Sequence, residues 1–169
     1  MTIRTNDAYI QSAKQSVNNH CIDFKKKRCQ QLQKLSHEHN DCIVFAEKIA
    51  QISESGDHSQ LAKGIELVQK YNQTELEAHL KHEEQTIFAL LVQEHKEHLE
   101  LCISLGREHG FIRTLVEEMT LETAQQDLAD FAHILKHHTL AEEMKLFPIV
   151  ESLFTEEQLD AVLDFVPWR

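Results

Sequence analysis

From residue 24 onward, apolar residues recur in steps of three and four, the period of one face of an α-helix. The first run predicts a helix over 24–53 with the stripe Leu32, Leu35, His39, Cys42, Ala46 and Ile49. The segment SESGDHSQ at 53–60 reads as a loop, and Asp57 or Ser59 can cap the helix that follows. That second helix is expected over 60–92, with the stripe Ile65, Val68, Asn72, Leu76, His79, Glu83, Ile87 and Leu90. A polar break at 93–97 leads to a third helix carrying Cys102, Leu105, His109, Ile112, Val116 and Met119. Thr123-Ala-Gln-Gln126 fits a capping box opening a fourth helix over 124–151, with Leu128, Phe131, Leu135, His138, Glu142 and Ile149 on its stripe. Thr155-Glu-Glu-Gln158 caps a short closing helix through Phe165. Four long helices with short links predict an all-α, up-down-up-down four-helix bundle with a short extra C-terminal helix. Residues 1–21 are polar and weakly patterned and read as an arm or a short helix; 22–169 read as the bundle domain.

Composition narrows the class. Four glycines and two prolines in 169 residues argue against a turn-rich all-β fold and against disorder. A chain of this length with 41% apolar residues can bury a core without disulfides. The formal charge is −11, which disfavours a general binder of nucleic acid or of an anionic membrane. The longest apolar run is Ile87 to Val92, too short to span a bilayer, and the N-terminus lacks the apolar core of a secretory signal. Cys21, Cys29, Cys42 and Cys102 lack CxxC spacing and suggest free thiols in a reducing cytoplasm. The unusual figure is 12 histidines.

Each apolar stripe carries one histidine, and two stripes carry a glutamate four residues later. Positions i and i+4 share one helix face, so His79 with Glu83 and His138 with Glu142 point inward together. Burying such groups unpaired costs several kcal/mol each. Six of them in one core layer call for a shared partner, and metal coordination supplies one. Four imidazoles and two carboxylates suit two cations, each taking two histidines and sharing both glutamates. The chain also repeats itself: His79-LKH-Glu83-Glu84-QTI-Phe88 matches His138-TLA-Glu142-Glu143-MKL-Phe147, with Glu38-His39 and Glu108-His109 on the preceding helices.

These segments resemble the hemerythrin-like, HHE cation-binding family. LSHEHNDCIVFAEKI at 35–49 and HTLAEEMKLFP at 138–148 are similar to the opening and closing motifs of its bacterial members, and the resemblance covers about 28–151. It implies a non-haem centre of two iron ions, oxo- or hydroxo-bridged, with ligands at His39, His79, Glu83, His109, His138 and Glu142. It also implies binding of small diatomic ligands, oxygen or nitric oxide. The oxygen-carrying hemerythrins have a further histidine four residues after the third-helix one; here that position is Arg113. Reversible oxygen carriage is therefore not expected. The leading function is binding or sensing of oxygen, nitric oxide or iron. The alternatives are an enzyme at the same site (an oxidase, nitric-oxide handling or iron-centre repair) or simple metal storage.

His37, His82 and His137 lie off the stripes and read as surface or supporting groups. Glu84 and Glu143 sit about 100° round the helix from their neighbours, and are expected to hold a histidine ring or face solvent. Cys42, one turn from His39, reads as a core residue. Tyr71 and Glu118 are conceivable extra donors off the strict lines. Gly106 and Gly110 flank His109 and suggest a close approach or a kink.

Overall fold

The computed structural model describes residues 24–166. The arm at 1–21 and Cys21 lie outside them. The bundle helices are α1 (Gln33–Ser55), α2 (58–94), α3 (Leu99–Glu118) and α4 (124–153), followed by α5 (Glu156–Asp164). The links 56–57, 95–98 and 119–123 are short, so successive helices run antiparallel. α1 packs against α2 and α4, and α3 packs against α4 and α2. Among the described residues there is no strand, and no helix is long and apolar enough to cross a membrane.

The ends follow local chemistry with two exceptions. Gly56 terminates α1 at φ 63°, a left-handed conformation that favours glycine. Asp57 caps α2 by accepting from the Gln60 amide, and Thr155 with Gln158 closes the expected capping box on α5. Thr123 makes no such cap. Its hydroxyl accepts from the Thr120 amide, so it closes the preceding turn instead. The first helix also starts later than the expected residue 24. Two 3-10 turns, Phe24–Lys27 and Gln30–Leu32, come first, because the Cys29 amide donates to Glu151 Oε1 and Arg28 turns toward α4.

Three wide π turns interrupt the long helices: Asn72–Leu76 and Glu84–Phe88 in α2, and Glu142–Leu146 in α4. A π turn adds a residue, which moves the buried face by one position. Leu91 is therefore fully buried where the 3.6-residue period predicts Leu90, and Val150 where it predicts Ile149. Gly64 is buried where α2 meets α1 and α4. A Cβ there would lie 2.7 Å from the Leu128 side chain and 2.9 Å from that of Ile52, so these side chains pack directly on the Gly64 backbone. Gly106 and Gly110 have open space around them, so the close approach expected beside His109 does not occur.

The core has two halves. One cluster holds Cys42, Ala46, Ile49, Leu80, Ile112, Leu128, Phe131 and Leu135. The other holds Leu32, Leu35, Ile87, Leu105, Leu146, Phe147, Val150 and Val162. In α1, α3 and α4 the stripe histidine falls between the residues of the two clusters, so a polar layer separates them.

His82 is not a surface group. It is buried, its Nε2 lies 2.7 Å from the Val162 carbonyl, and its ring faces Phe165. It ties α5 to α2. His82→Ala leaves that carbonyl unsatisfied and is expected to cost about 1–3 kcal/mol of stability without changing metal content. Chemical denaturation with metal analysis on the same sample checks both.

Candidate metal centre

His39 comes from α1, His79 and Glu83 from α2, His109 from α3, and His138 and Glu142 from α4. The structure brings all six together, each with at most 6% exposure. Their donor atoms form two overlapping groups, His39–His79–Glu83–Glu142 and Glu83–His109–His138–Glu142. Within each group the donor atoms lie within 4.8 Å of one another, a spacing that could hold a metal ion. Both glutamates belong to both groups.

The imidazoles face the carboxylates through Nε2. His39 Nε2 lies 3.1 Å from Glu83 Oε1 and 3.2 Å from Glu142 Oε2. His79 Nε2 is 3.5 Å from Glu83 Oε2, and His138 Nε2 is 3.1 Å from Glu142 Oε1. His109 Nε2 lies 3.6 Å from Glu83 Oε2 and 2.9 Å from His138 Nε2. Most of these approaches lack hydrogen-bond geometry: Glu83 Oε2 and both Glu142 oxygens are buried with no hydrogen-bond partner. Buried carboxylate oxygens are otherwise paired, so three orphans aimed at four imidazoles are what a cation site requires. The donor set suits a first-row divalent cation, because imidazole and carboxylate are common ligands of such ions.

The other ring nitrogen of every histidine is held by a carboxylate. His39 Nδ1 meets Glu143 at 2.7 Å and His109 Nδ1 meets Glu84 at 2.8 Å. His79 Nδ1 meets Glu38 and His138 Nδ1 meets Glu108, both at 2.8 Å. Each contact crosses between helices and follows the internal repeat: His79–Glu38 joins α2 to α1 as His138–Glu108 joins α4 to α3, and His39–Glu143 joins α1 to α4 as His109–Glu84 joins α3 to α2. Such contacts fix the tautomer, leaving Nε2 free to ligate. Glu84 and Glu143 thus hold rings, one of their two expected roles. Glu38 and Glu108 are supporting residues that the sequence reading missed, although the EH pairs that contain them were its signal. Two of the three π turns fall at the EE pairs, one beginning at Glu84, the second glutamate of its pair, and the other at Glu142, the first of its pair.

An outer layer holds these carboxylates. Ser36 Oγ donates to Glu143 Oε1 at 2.6 Å, and Arg28 Nε donates to Glu143 Oε2 at 3.0 Å. Arg28 also donates to the Glu143 carbonyl. Arg113 bridges Glu77 and Glu84. Its side chain therefore serves a carboxylate and not the core. Phe147 stacks on His39 at 5.0 Å and Phe88 on His109 at 5.2 Å, closing the rings from one side. Cys42 Sγ contacts the Tyr71 hydroxyl at 3.3 Å and belongs to neither donor group; Glu118 is exposed. His37 and His137 are exposed as well.

Burial pulls the His39 pKa down, but contacts with Glu142, Glu143 and Glu83 outweigh it and raise the value well above the ordinary range. Burial likewise pulls the His138 pKa down, but the Glu142 charge and the contact with Glu108 outweigh it and raise the value to about 10. Burial would raise the Glu142 carboxyl, yet the charge of His138 and the close approach of the His109 and His39 rings hold it well below the usual carboxylate range. A cation at Nε2 must displace a proton from these rings. Metal occupancy is therefore expected to fall as pH falls, and loading at pH 7 to release protons. Calorimetric titration in buffers of different ionisation enthalpy reads that release; loading with no proton release would contradict it.

The family model described as hemerythrin HHE cation binding domain matches residues 31–150. No curated protein and no solved structure gives a significant match to the chain. The matched span contains all six core donors and the four carboxylates that hold the rings. On this match, and with the helical bundle around two cation-sized donor groups, the chain belongs to the hemerythrin HHE cation-binding family.

Proposed function

We propose that the chain holds two iron ions, one at His39 and His79 and the other at His109 and His138, with Glu83 and Glu142 shared. We further propose that the centre binds or senses oxygen or nitric oxide in the cytoplasm. The observation that carries the reading is the membership of both glutamates in both donor groups, with three orphaned oxygens between them. A single ion would leave part of this buried charge uncompensated. When bound, ferrous iron supplies electrons and coordination positions for a small diatomic ligand.

The chain's own residues prepare that chemistry. Glu38, Glu84, Glu108 and Glu143 orient the four rings and hold their Nδ1 protons. Phe88 and Phe147 cover rings of the centre and exclude water. Arg113, one turn after His109, offers no donor atom to the core because its guanidinium is engaged by Glu77 and Glu84. Four imidazoles for two ions favour the oxidised state over reversible oxygen carriage.

The test is anaerobic reconstitution followed by exposure of the reduced protein to nitric oxide and, separately, to oxygen. Expected results are two irons per chain, a spectral change with nitric oxide, and oxidation by oxygen that removing the gas does not reverse. A limit of one ion per chain overturns the two-iron reading. Repeated full recovery after oxygen would make the protein a reversible carrier. Uptake far above two ions would favour storage.

A further inference from the structure

His109 is tied to the surface through a continuous chain of charged groups. Its Nδ1 lies 2.8 Å from Glu84 Oε1. The same oxygen accepts from Arg113 Nη1 at 2.7 Å, and Glu84 Oε2 accepts from Arg113 Nη2 at 3.2 Å. The opposite edge of the guanidinium is fixed by Glu77, through Nε at 2.9 Å and Nη2 at 3.1 Å. Arg113 thus makes a bidentate fork to each of two carboxylates, a geometry that a lysine cannot reproduce. The ring is fully buried and packed on Phe88, while the Arg113 side chain is 28% exposed.

Two donors compete for Glu84 Oε1. A carboxylate that accepts from a ligating imidazole makes that imidazole a stronger electron donor. A guanidinium on the same oxygen withdraws electron density from it and weakens the bond to the ring. The charge of Arg113 also disfavours added positive charge nearby. Both effects favour the reduced metal.

We propose that Arg113 is a positioning residue of the metal centre, which fixes Glu84 and through it sets how strongly His109 donates to a cation at Nε2. This rests on the proposed centre. The competing account is a solvent-facing ion pair that ties α2 to α3 and does nothing to His109.

Zinc-loaded protein gives a readout independent of redox chemistry: the nuclear magnetic resonance of the His109 Nδ1 proton. Arg113→Gln leaves Glu84 to the ring alone, so this resonance moves downfield. Glu84→Gln weakens the acceptor, so it moves upfield. Arg113→Lys, which keeps the charge but not the fork, falls between wild type and Arg113→Gln and serves if the glutamine variant does not fold. In the iron-loaded protein the midpoint potential falls in Arg113→Gln and rises in Glu84→Gln. Simple loosening would move both variants the same way. The proposal is overturned if Arg113→Gln leaves the proton resonance in place, or moves it in the same direction as Glu84→Gln, while helicity and metal content are kept. If the resonances split as expected but no redox couple exists, the positioning role stands and the iron reading fails.

Discussion

Glu83→Gln is expected to empty both cation positions, whereas His79→Ala empties one. Glu83 contributes an oxygen to each donor group, while His79 belongs to one. Glutamine keeps the shape of the side chain and removes the charge, so no cavity confuses the result. Loss of a supporting contact around a metal costs about 10–100-fold in affinity, and loss of a shared anionic ligand should exceed that range. Metal content after gel filtration should fall from two ions to below one in Glu83→Gln, and to about one in His79→Ala. Glu142→Gln should behave like Glu83→Gln, because the internal repeat relates the two positions. Retention of two ions in Glu83→Gln would mean that the carboxylates do not bridge. The exposed residues His37 and His137 supply controls, since His37→Ala and His137→Ala should leave the count at two.

Phe147→Ala and Phe131→Ala should cost similar stability but differ in their effect on metal. Both side chains are fully buried. Truncation of a buried phenylalanine costs about 3–5 kcal/mol, part of it from the cavity left behind. In a chain of this size that lowers the melting temperature by roughly 6–20 °C. Phe131 lies in the cluster with Phe45, where the rings meet edge to face at 6.3 Å. Phe147 stacks on His39, and the guanidinium of Arg28 sits 5.8 Å from its ring centre. Phe147→Ala therefore frees a ring of the centre and opens it to water, and metal should be lost more easily to a chelator. Phe131→Ala should unfold at a similarly reduced denaturant concentration with its chelation rate unchanged while folded. Equal chelation rates in both variants would show that the polar layer does not depend on its aromatic cover.

The sequence by itself determined the helices, their order and the inward face of each through the centre. His39, His79, Glu83, His109, His138 and Glu142 were legible because each lies on an apolar line, and an uncompensated imidazole or carboxylate on such a line is costly. The repeat of HxxxEE, each after an EH pair, fixed their register relative to one another. The helix ends at Asp57 and Thr155 were legible because donor and acceptor are three residues apart, whereas Thr123, read from the same spacing, accepts from Thr120 instead.

Tertiary structure decided what depends on residues distant in the chain. The late start of α1 comes from Arg28 and Cys29 reaching Glu143 and Glu151, more than a hundred residues away. The π turns at Glu84 and Glu142 break the 3.6-residue period, so the period misplaces Leu90 and Ile149 by one position. His82 gained its role only when α5 folded back and brought the Val162 carbonyl to it. Glu38 and Glu108 sit on exposed-looking helix positions, and only the neighbouring helix shows that their oxygens meet His79 and His138. A periodic pattern reports which way a side chain points along its own helix. It carries no information on which partner waits on the next helix, and in this protein those partners fix each imidazole of the centre.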